Sequence, residues 1–165
     1  LQLLHSRNHR RCNGAALMRW AIVLSLMVSV PAVAAPDGPT VYKKCAACHL
    51  PSGAGVPGAF PPFGADFATL AKSPAGRRYM ILGVIKGISG PITVAGKPYR
   101  GVMPAQVGLD DEAIANVLNH IAINIAKAGK GFSPITSAEV AKVRAGGNSL
   151  TAASVAQLHA SAGGR

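Results

Sequence analysis

Three segments of the chain combine apolar positions three and four residues apart with residues that begin or end helices, and each predicts a helix. The first is a short helix over Thr40–Ala47. The second starts at the Ser73–Pro74 pair, a favourable N-cap followed by a favourable first-turn residue, and runs to about Lys86 before Gly87. The third is capped by Asp110 and carries an apolar stripe made up of Ile114, Val117, Leu118, Ile121 and Ile125. The chain is therefore predicted to be mainly helical.

Two other segments predict irregular or extended backbone. Pro, Gly and Phe dominate residues 52–67, which predicts an irregular apolar loop suited to covering the edge of a flat cofactor. Ile92–Val94 and Lys97–Arg100, joined by an Ala-Gly pair, predict a small hairpin. This hairpin would lead into the segment that contains Met103.

The end of the chain contains a weak internal repeat. Ile135–Ala145 and Leu150–Ala160 have similar sequences, and each predicts a short helix, capped by Thr136 and Thr151 respectively. Two interpretations stay open: surface helices with no special chemistry, or an extension that docks a partner protein. His159, near the end of the second helix, is expected to be solvated.

An apolar run near the start of the chain predicts an export signal. Met18–Trp20 form a short basic start, Ala21–Val30 form an apolar run of ten residues, and small residues follow. A bilayer span needs about 20 residues, so a signal peptide over 18–34, cleaved after Ala34, is favoured over a weak retained anchor. Residues 1–17 are interpreted as an upstream extension, with a long basic n-region as the alternative.

The net charge changes once this predicted signal peptide is set aside. The whole chain has 17 Lys and Arg against 6 Asp and Glu, a formal charge of +11. Residues 1–34 hold four Arg and no acid, so the exported part has 13 basic and 6 acidic residues, a charge of +7. Because export separates the protein from most nucleic acid, this charge favours an acidic protein partner over phosphate backbones. We divide the exported part into a domain over 35–128 and a C-terminal extension over 129–165.

Cys45, Cys48 and His49 form a C-x-x-C-H motif, which is the signature of covalent c-type haem attachment. Two thiols one helical turn apart can each add to one vinyl group of a porphyrin, and the next residue places an imidazole at the iron. A structural zinc site would need two more ligands, but the exported part has no second cysteine pair. A thioredoxin-like redox pair would require a βαβ unit, which the pattern does not predict. The motif therefore predicts one haem with His49 as an axial ligand.

The second axial ligand has four candidates in the exported part: Met80, Met103, His120 and His159. Met80 and His120 fall within predicted helices, where core packing and a surface position are the simpler interpretations. Met103 precedes Pro104 in a rigid, non-helical segment that could hold a thioether towards the iron. Met103 is therefore the favoured ligand.

Residues of about 37–125 resemble the class I c-type cytochromes, in particular the small bacterial monohaem proteins that accompany periplasmic dehydrogenases, nitrite reductases and terminal oxidases. The matching pieces are Cys45–His49, Gly55–Phe63 and Ser89–Pro104. The resemblance implies an all-α, cytochrome c-like fold of three to four short helices around one covalently bound haem, with a small hairpin before the methionine loop. It is expected to cover roughly two thirds of the exported chain.

The resemblance also implies roles for single residues. The methionine before proline, here Met103, is the distal ligand in that family, and a proline twelve positions after the haem histidine, here Pro61, supplies the carbonyl that orients it. The family's first helix packs closely against its last through a glycine and an aromatic residue. In this chain the family's positions hold Asp37 and Val41, and Gly38 and Tyr42 each fall one position late, so the packing of this helix pair is the part of the resemblance that carries over least directly.

A haem with both axial positions filled has no open site for oxygen, peroxide or substrate, so we expect a periplasmic one-electron carrier rather than an enzyme. The carrier could be the cytochrome subunit of a dehydrogenase, nitrite reductase or oxidase system. The alternative is a haem-based sensor or a peroxidase-like enzyme in which the methionine leaves the iron.

Several further residues are expected around the haem. The predicted pocket residues, besides those above, are Phe60, Phe63, Tyr99 and Arg100, of which Tyr99 or Arg100 could bond a haem propionate. Lys43 and Lys44 beside the motif and Lys97 before the methionine loop could form a positive rim that steers an acidic redox partner. Scattered charges that serve only solubility are the alternative.

Overall fold

The computed structural model describes residues 35–165, so the predicted upstream extension and signal peptide lie outside the described residues. The helices are α1 Gly38–His49, α2 Ala65–Leu70, α3 Pro74–Lys86, α4 Asp111–His120, α5 Ser137–Gly146 and α6 Ala152–Ser161, and α4 continues into a π-helical turn over Ile121–Ile125. The strands are β1 Ile88–Ser89, β2 Ile92–Val94, β3 Lys97–Tyr99 and β4 Val102–Met103. The predicted all-α fold with a small hairpin is therefore confirmed.

Side-chain caps explain where most of these helices begin. A side-chain oxygen accepts a backbone N–H of the first turn in every described helix except α2. The capping residues are Asp37, Ser73, Asp110, Thr136 and Thr151. Gly64, which precedes α2, offers no such cap.

The predicted elements are confirmed with two differences. The helix expected over Thr40–Ala47 extends over Gly38–His49, because Asp37 caps it two residues earlier and the haem motif itself is helical. The loop expected over 52–67 is irregular only as far as Gly64, since α2 begins at Ala65.

The strands form two separate antiparallel pairs that lead to Met103. β2 and β3 form the predicted hairpin, with Ile92 opposite Tyr99. β1 pairs with β4, which places Ile88 opposite Met103, and this second pair was not predicted. Met103 is therefore held on a paired strand next to the end of α3.

α1 packs closely against α4 even though the family's residues fall one position late. A Cβ added at Gly38 would overlap the backbone oxygen of Asn116, so only glycine fits at this crossing. Tyr42 is buried, and its ring centroid lies 5.4 Å from that of His120. The close packing that the resemblance carries over least directly is thus present, because Gly38 and Tyr42 fill those roles at their shifted positions.

The two helices of the C-terminal extension are confirmed, and each buries one face. α5 packs against α3 and α4, while α6 packs against α3, β1 and β2. Val140 on α5 and Val155 on α6 are completely buried. Both are therefore surface helices that each contribute one face to the core.

Polar contacts attach the extension to the rest of the protein. The Arg77 guanidinium forms an ion pair with Glu139 and also donates to the backbone oxygens of Ser133 and Pro134. Arg144 Nε donates to Asp111 Oδ1 at 2.7 Å. Within residues 35–165, no helix has the length and apolar character needed to cross a bilayer.

Candidate functional site

The last turn and a half of α1 presents the haem motif to one cavity. Cys45 and Cys48 are half-buried free thiols, and both line the cavity together with His49. Residues three and four positions apart lie on one face of a helix, so this spacing brings two thiols and an imidazole to the same wall. His49 is only 6% exposed.

The orientation of His49 is fixed by two contacts. Its Nδ1 lies 2.8 Å from the Pro61 carbonyl oxygen, which can only accept, so Nδ1 carries the hydrogen. The other ring nitrogen, Nε2, is then free of hydrogen and has a lone pair to offer. The Phe63 ring stacks on the imidazole with centroids 4.2 Å apart and planes 22° apart. This is the carbonyl contact that the family resemblance implies for Pro61.

Burial of the imidazole favours its uncharged form. Burial lowers the pKa of His49, and the hydrogen bond to Pro61 opposes this effect in part. A neutral imidazole is the form that binds a metal ion. His49 thus has the protonation state, tautomer and orientation of an iron ligand.

A tight turn after α1 brings Pro61 back to His49. The Gly55 N–H donates to the His49 carbonyl oxygen at 3.0 Å, which reverses the chain. Gly55 has φ +63°, and a Cβ there would overlap the Phe60 oxygen, so the turn requires glycine. The Phe63 N–H then donates to the Gly53 oxygen at 2.8 Å and holds the stacked ring in place.

The cavity has a volume of about 350 Å³, and its wall is mostly apolar. Met103 and Pro104 contribute to it from the end of the strand region. Predicted pocket residues on the wall are Phe60, Pro61, Phe63 and Tyr99, and Lys44 lies at its rim. Two thiols, a neutral imidazole, a thioether and an apolar wall are the donor set and surroundings that haem c requires, so the site fits that cofactor.

Other predicted residues lie away from the cavity. Arg100, which follows β3, is exposed and does not line the cavity. Its contact with a haem propionate stays a prediction. Lys43 and Lys97 are also exposed and lie off the cavity wall, so only Lys44 of the three predicted lysines reaches the rim.

Of the other candidate iron ligands, Met80 lines the cavity and is 5% exposed, whereas His120 does not line it. His159 also lines the cavity and is only 4% exposed, so the expectation that it is solvated is wrong. The spacing of four residues between Val155 and His159 is the sequence signal that could have placed His159 on the buried face of α6.

His159 forms a buried cluster with two residues that the sequence analysis did not single out. Its Nε2 lies 3.0 Å from Asp66 Oδ2, and both side chains are less than 10% exposed. The Tyr79 ring meets the imidazole edge-on at a centroid distance of 5.1 Å. Burial, and then the nearby Asp66 carboxylate, raises the pKa of Tyr79 above its usual range, so this phenol stays neutral. All three residues line the cavity.

Comparison with known proteins gives consistent matches. The sequence model of the cytochrome c family matches residues 35–123. A cytochrome c-552 from Thermus thermophilus is 44% identical over 130 residues, which cover 78% of this chain and 88% of that protein. Another cytochrome c-552 from the same species is 48% identical over 111 residues, covering 66% of this chain and 85% of the relative.

Proposed function

Because the chain belongs to the cytochrome c family, whose members carry covalently bound haem c and transfer electrons, we propose that it is an exported, periplasmic one-electron carrier with His49 and Met103 as its iron ligands. Haem c supplies the reversible exchange of one electron at iron. The observation that supports the proposal is that both thiols, His49 and Met103 line one cavity.

Each of these side chains has a defined task. The thiols of Cys45 and Cys48 form the covalent links to the cofactor, while the Pro61 carbonyl keeps His49 Nε2 available as a ligand. Met103 supplies the second ligand from a strand that β1 holds in place. If His49 and Met103 both hold the iron, no position would be left for a substrate, which favours electron transfer over catalysis.

The apolar wall sets the conditions for electron exchange. Phe60, Phe63 and their apolar neighbours keep water away from the cofactor. Thioether ligation and a water-poor surrounding both favour the reduced state and raise the reduction potential. A rigid, dry wall also limits the rearrangement that each electron transfer requires.

The exposed rim suits an acidic redox partner. Lys44 is exposed at the rim, and residues 35–165 carry a formal charge of +7. Opposite charges accelerate encounter and make its rate dependent on salt. We propose that the partners belong to a dehydrogenase, nitrite reductase or oxidase system, and that this chain acts as the separate carrier or the cytochrome subunit.

Replacing Met103 by Ala tests the ligand assignment. We expect the oxidised variant to lose its methionine-to-iron charge-transfer band in the near infrared, to have a lower reduction potential, and to bind carbon monoxide rapidly when reduced. The wild-type protein should show the band and bind carbon monoxide slowly, because its sixth position is filled.

Met80→Leu is the matched control, since Met80 lines the same cavity from α3 and the substitution keeps its volume. This variant should keep the near-infrared band and a potential close to that of the wild type. If Met103→Ala leaves the spectrum unchanged while Met80→Leu alters it, Met80 is the ligand instead. Rapid carbon monoxide binding by the wild-type protein would favour the sensor or peroxidase-like alternative.

A further inference from the structure

The cluster of His159, Asp66 and Tyr79 is not needed to attach the cofactor or to ligate its iron. It is nevertheless built into the cavity wall by three elements, α6, α2 and α3. A carboxylate and an imidazole with side-chain exposures of 7% and 5% are costly to bury unless they pair, and here they hydrogen-bond at 3.0 Å. The amide N–H of Arg165 also donates to Asp66 Oδ1, so both carboxylate oxygens are engaged.

The hydrogen-bond pattern leaves one nitrogen to exchange a proton. The Asp66 carboxylate can only accept, so His159 Nε2 carries a hydrogen whether the imidazole is neutral or charged. Nδ1 is therefore the atom that gains or loses the exchangeable proton. It lies near the end of α6, beside the backbone of Gly164.

The neighbouring charges can be assigned element by element. α6 packs against α3, β1 and β2, and the two strands contribute no charged side chain. On α3, Tyr79 contacts the imidazole, Arg77 is paired with Glu139, and Lys86 donates to the Asn148 oxygen; Arg78 is its remaining basic residue. Asp66 on α2 is thus the ionisable carboxylate that contacts the imidazole among the described residues.

We propose that the His159–Asp66 pair is a redox-linked proton site, which takes up one proton when the protein accepts an electron and releases it when the electron leaves. The electron comes from the donor protein and ends on iron, while the proton comes from solvent and ends on His159 Nδ1. This inference rests on the proposed function, because it requires a cofactor in the cavity whose charge changes by one unit.

The direction of the coupling follows from electrostatics. An added electron makes the cavity more negative, which strengthens the attraction of its wall for a proton. Linkage makes the effect reciprocal, so protonation of the pair raises the reduction potential by the corresponding amount. Imidazole is the side chain best suited to exchange a proton under physiological conditions, which makes the pair the candidate for this coupling. Tyr79, which stays neutral, borders the site without competing for the proton.

Measurement of the reduction potential of the holoprotein from pH 5 to 9 tests the proposal. The wild-type potential should fall as pH rises through the range in which His159 loses its proton. His159→Gln, which retains a side-chain N–H donor for Asp66, should flatten this dependence. Any slope left in that variant belongs to other groups, including the carboxylates of the cofactor itself.

His120→Gln is the matched control, because His120 is the described histidine outside the cavity wall. It should keep the full pH dependence. Asp66→Asn removes the anion that pairs with the imidazole, so it should alter the pH dependence of the potential. An unchanged pH dependence in His159→Gln would overturn the proposal.

NMR titration of the His159 ring in the wild-type holoprotein provides a second measurement that needs no variant. The proton affinity of the ring should be at least about fivefold higher in the reduced than in the oxidised protein, the lower end of ordinary coupling between sites. Equal affinities in the two states would overturn the redox link while leaving the electron-carrier proposal intact. A protein that carries no haem c would instead contradict the carrier proposal.

Discussion

Two parts of the cavity wall are built in opposite ways. The motif wall, made by Cys45–His49 and the loop to Phe63, closes through contacts between residues at most about a dozen positions apart, such as His49 with Pro61. The tail wall, made by Asp66, Tyr79 and His159, closes through a contact across 93 positions. Short closures cost less conformational entropy and are specified by local spacing. The motif wall therefore carries the attachment chemistry, and the tail wall depends on the completed fold.

Among the changes considered, removal of the cofactor should destabilise the motif wall most. In the double variant Cys45→Ala, Cys48→Ala, we expect no haem to remain on the chain after acid and organic-solvent extraction. An unfilled cavity of about 350 Å³ corresponds to a cost of about 8 kcal/mol. That is comparable to the whole stability of a typical domain. Urea unfolding followed by circular dichroism should show a protein that is mostly unfolded without denaturant.

Haem that survives extraction from this double variant would contradict the assignment of the covalent links. A haem-free variant that unfolds at the wild-type urea concentration would instead show that the protein core forms without the cofactor.

Gly38→Ala should have a smaller effect on the helix that carries the motif, because the added methyl group would collide with the Asn116 backbone where α1 crosses α4. We expect a loss of about 1–3 kcal/mol in the free energy of unfolding. Gly146→Ala, in α5 of the extension, is the control, since nothing lies within 4 Å of its added Cβ. It should change stability by less than about 1 kcal/mol, in the stabilising direction. Equal effects of the two substitutions would show that the close crossing of α1 and α4 does not contribute to stability.

Glu139→Gln should have the smallest effect and tests how the C-terminal extension, which supplies His159 to the tail wall, is attached. The hydrogen bond from Arg77 is the main cause that lowers the pKa of Glu139. A carboxyl pKa that is lowered in the folded protein stabilises the fold at pH values above the ordinary pKa of glutamate. That contribution is lost as the pH falls through the pKa of the folded state. The pair is partly exposed, so its contribution is small. We expect the free energy of unfolding of the wild type to exceed that of the variant by about 1 kcal/mol or less at pH 7.

At pH 3 thermal unfolding should give nearly equal stabilities for the wild type and Glu139→Gln. A difference that persists unchanged in acid would mean that the charge of Glu139 does not attach the extension.

The two walls also differ in how well the sequence predicts them. Ser73 and Gly87 bound α3 as expected, and the motif placed Cys45, Cys48 and His49 together, because caps and helical spacing act over a few residues. α2 was not predicted because it has six residues and no side-chain cap. The buried position of His159 was not predicted because nothing near it in the sequence indicates that Asp66 will be its partner.

The packing of α6 against the cavity has a consequence for how the protein is made. If the predicted signal peptide leads the chain across the membrane, the thiols of Cys45 and Cys48 arrive on the far side before His159, which lies about 110 residues later in the chain. The attachment site would then be accessible before α6 completes the tail wall.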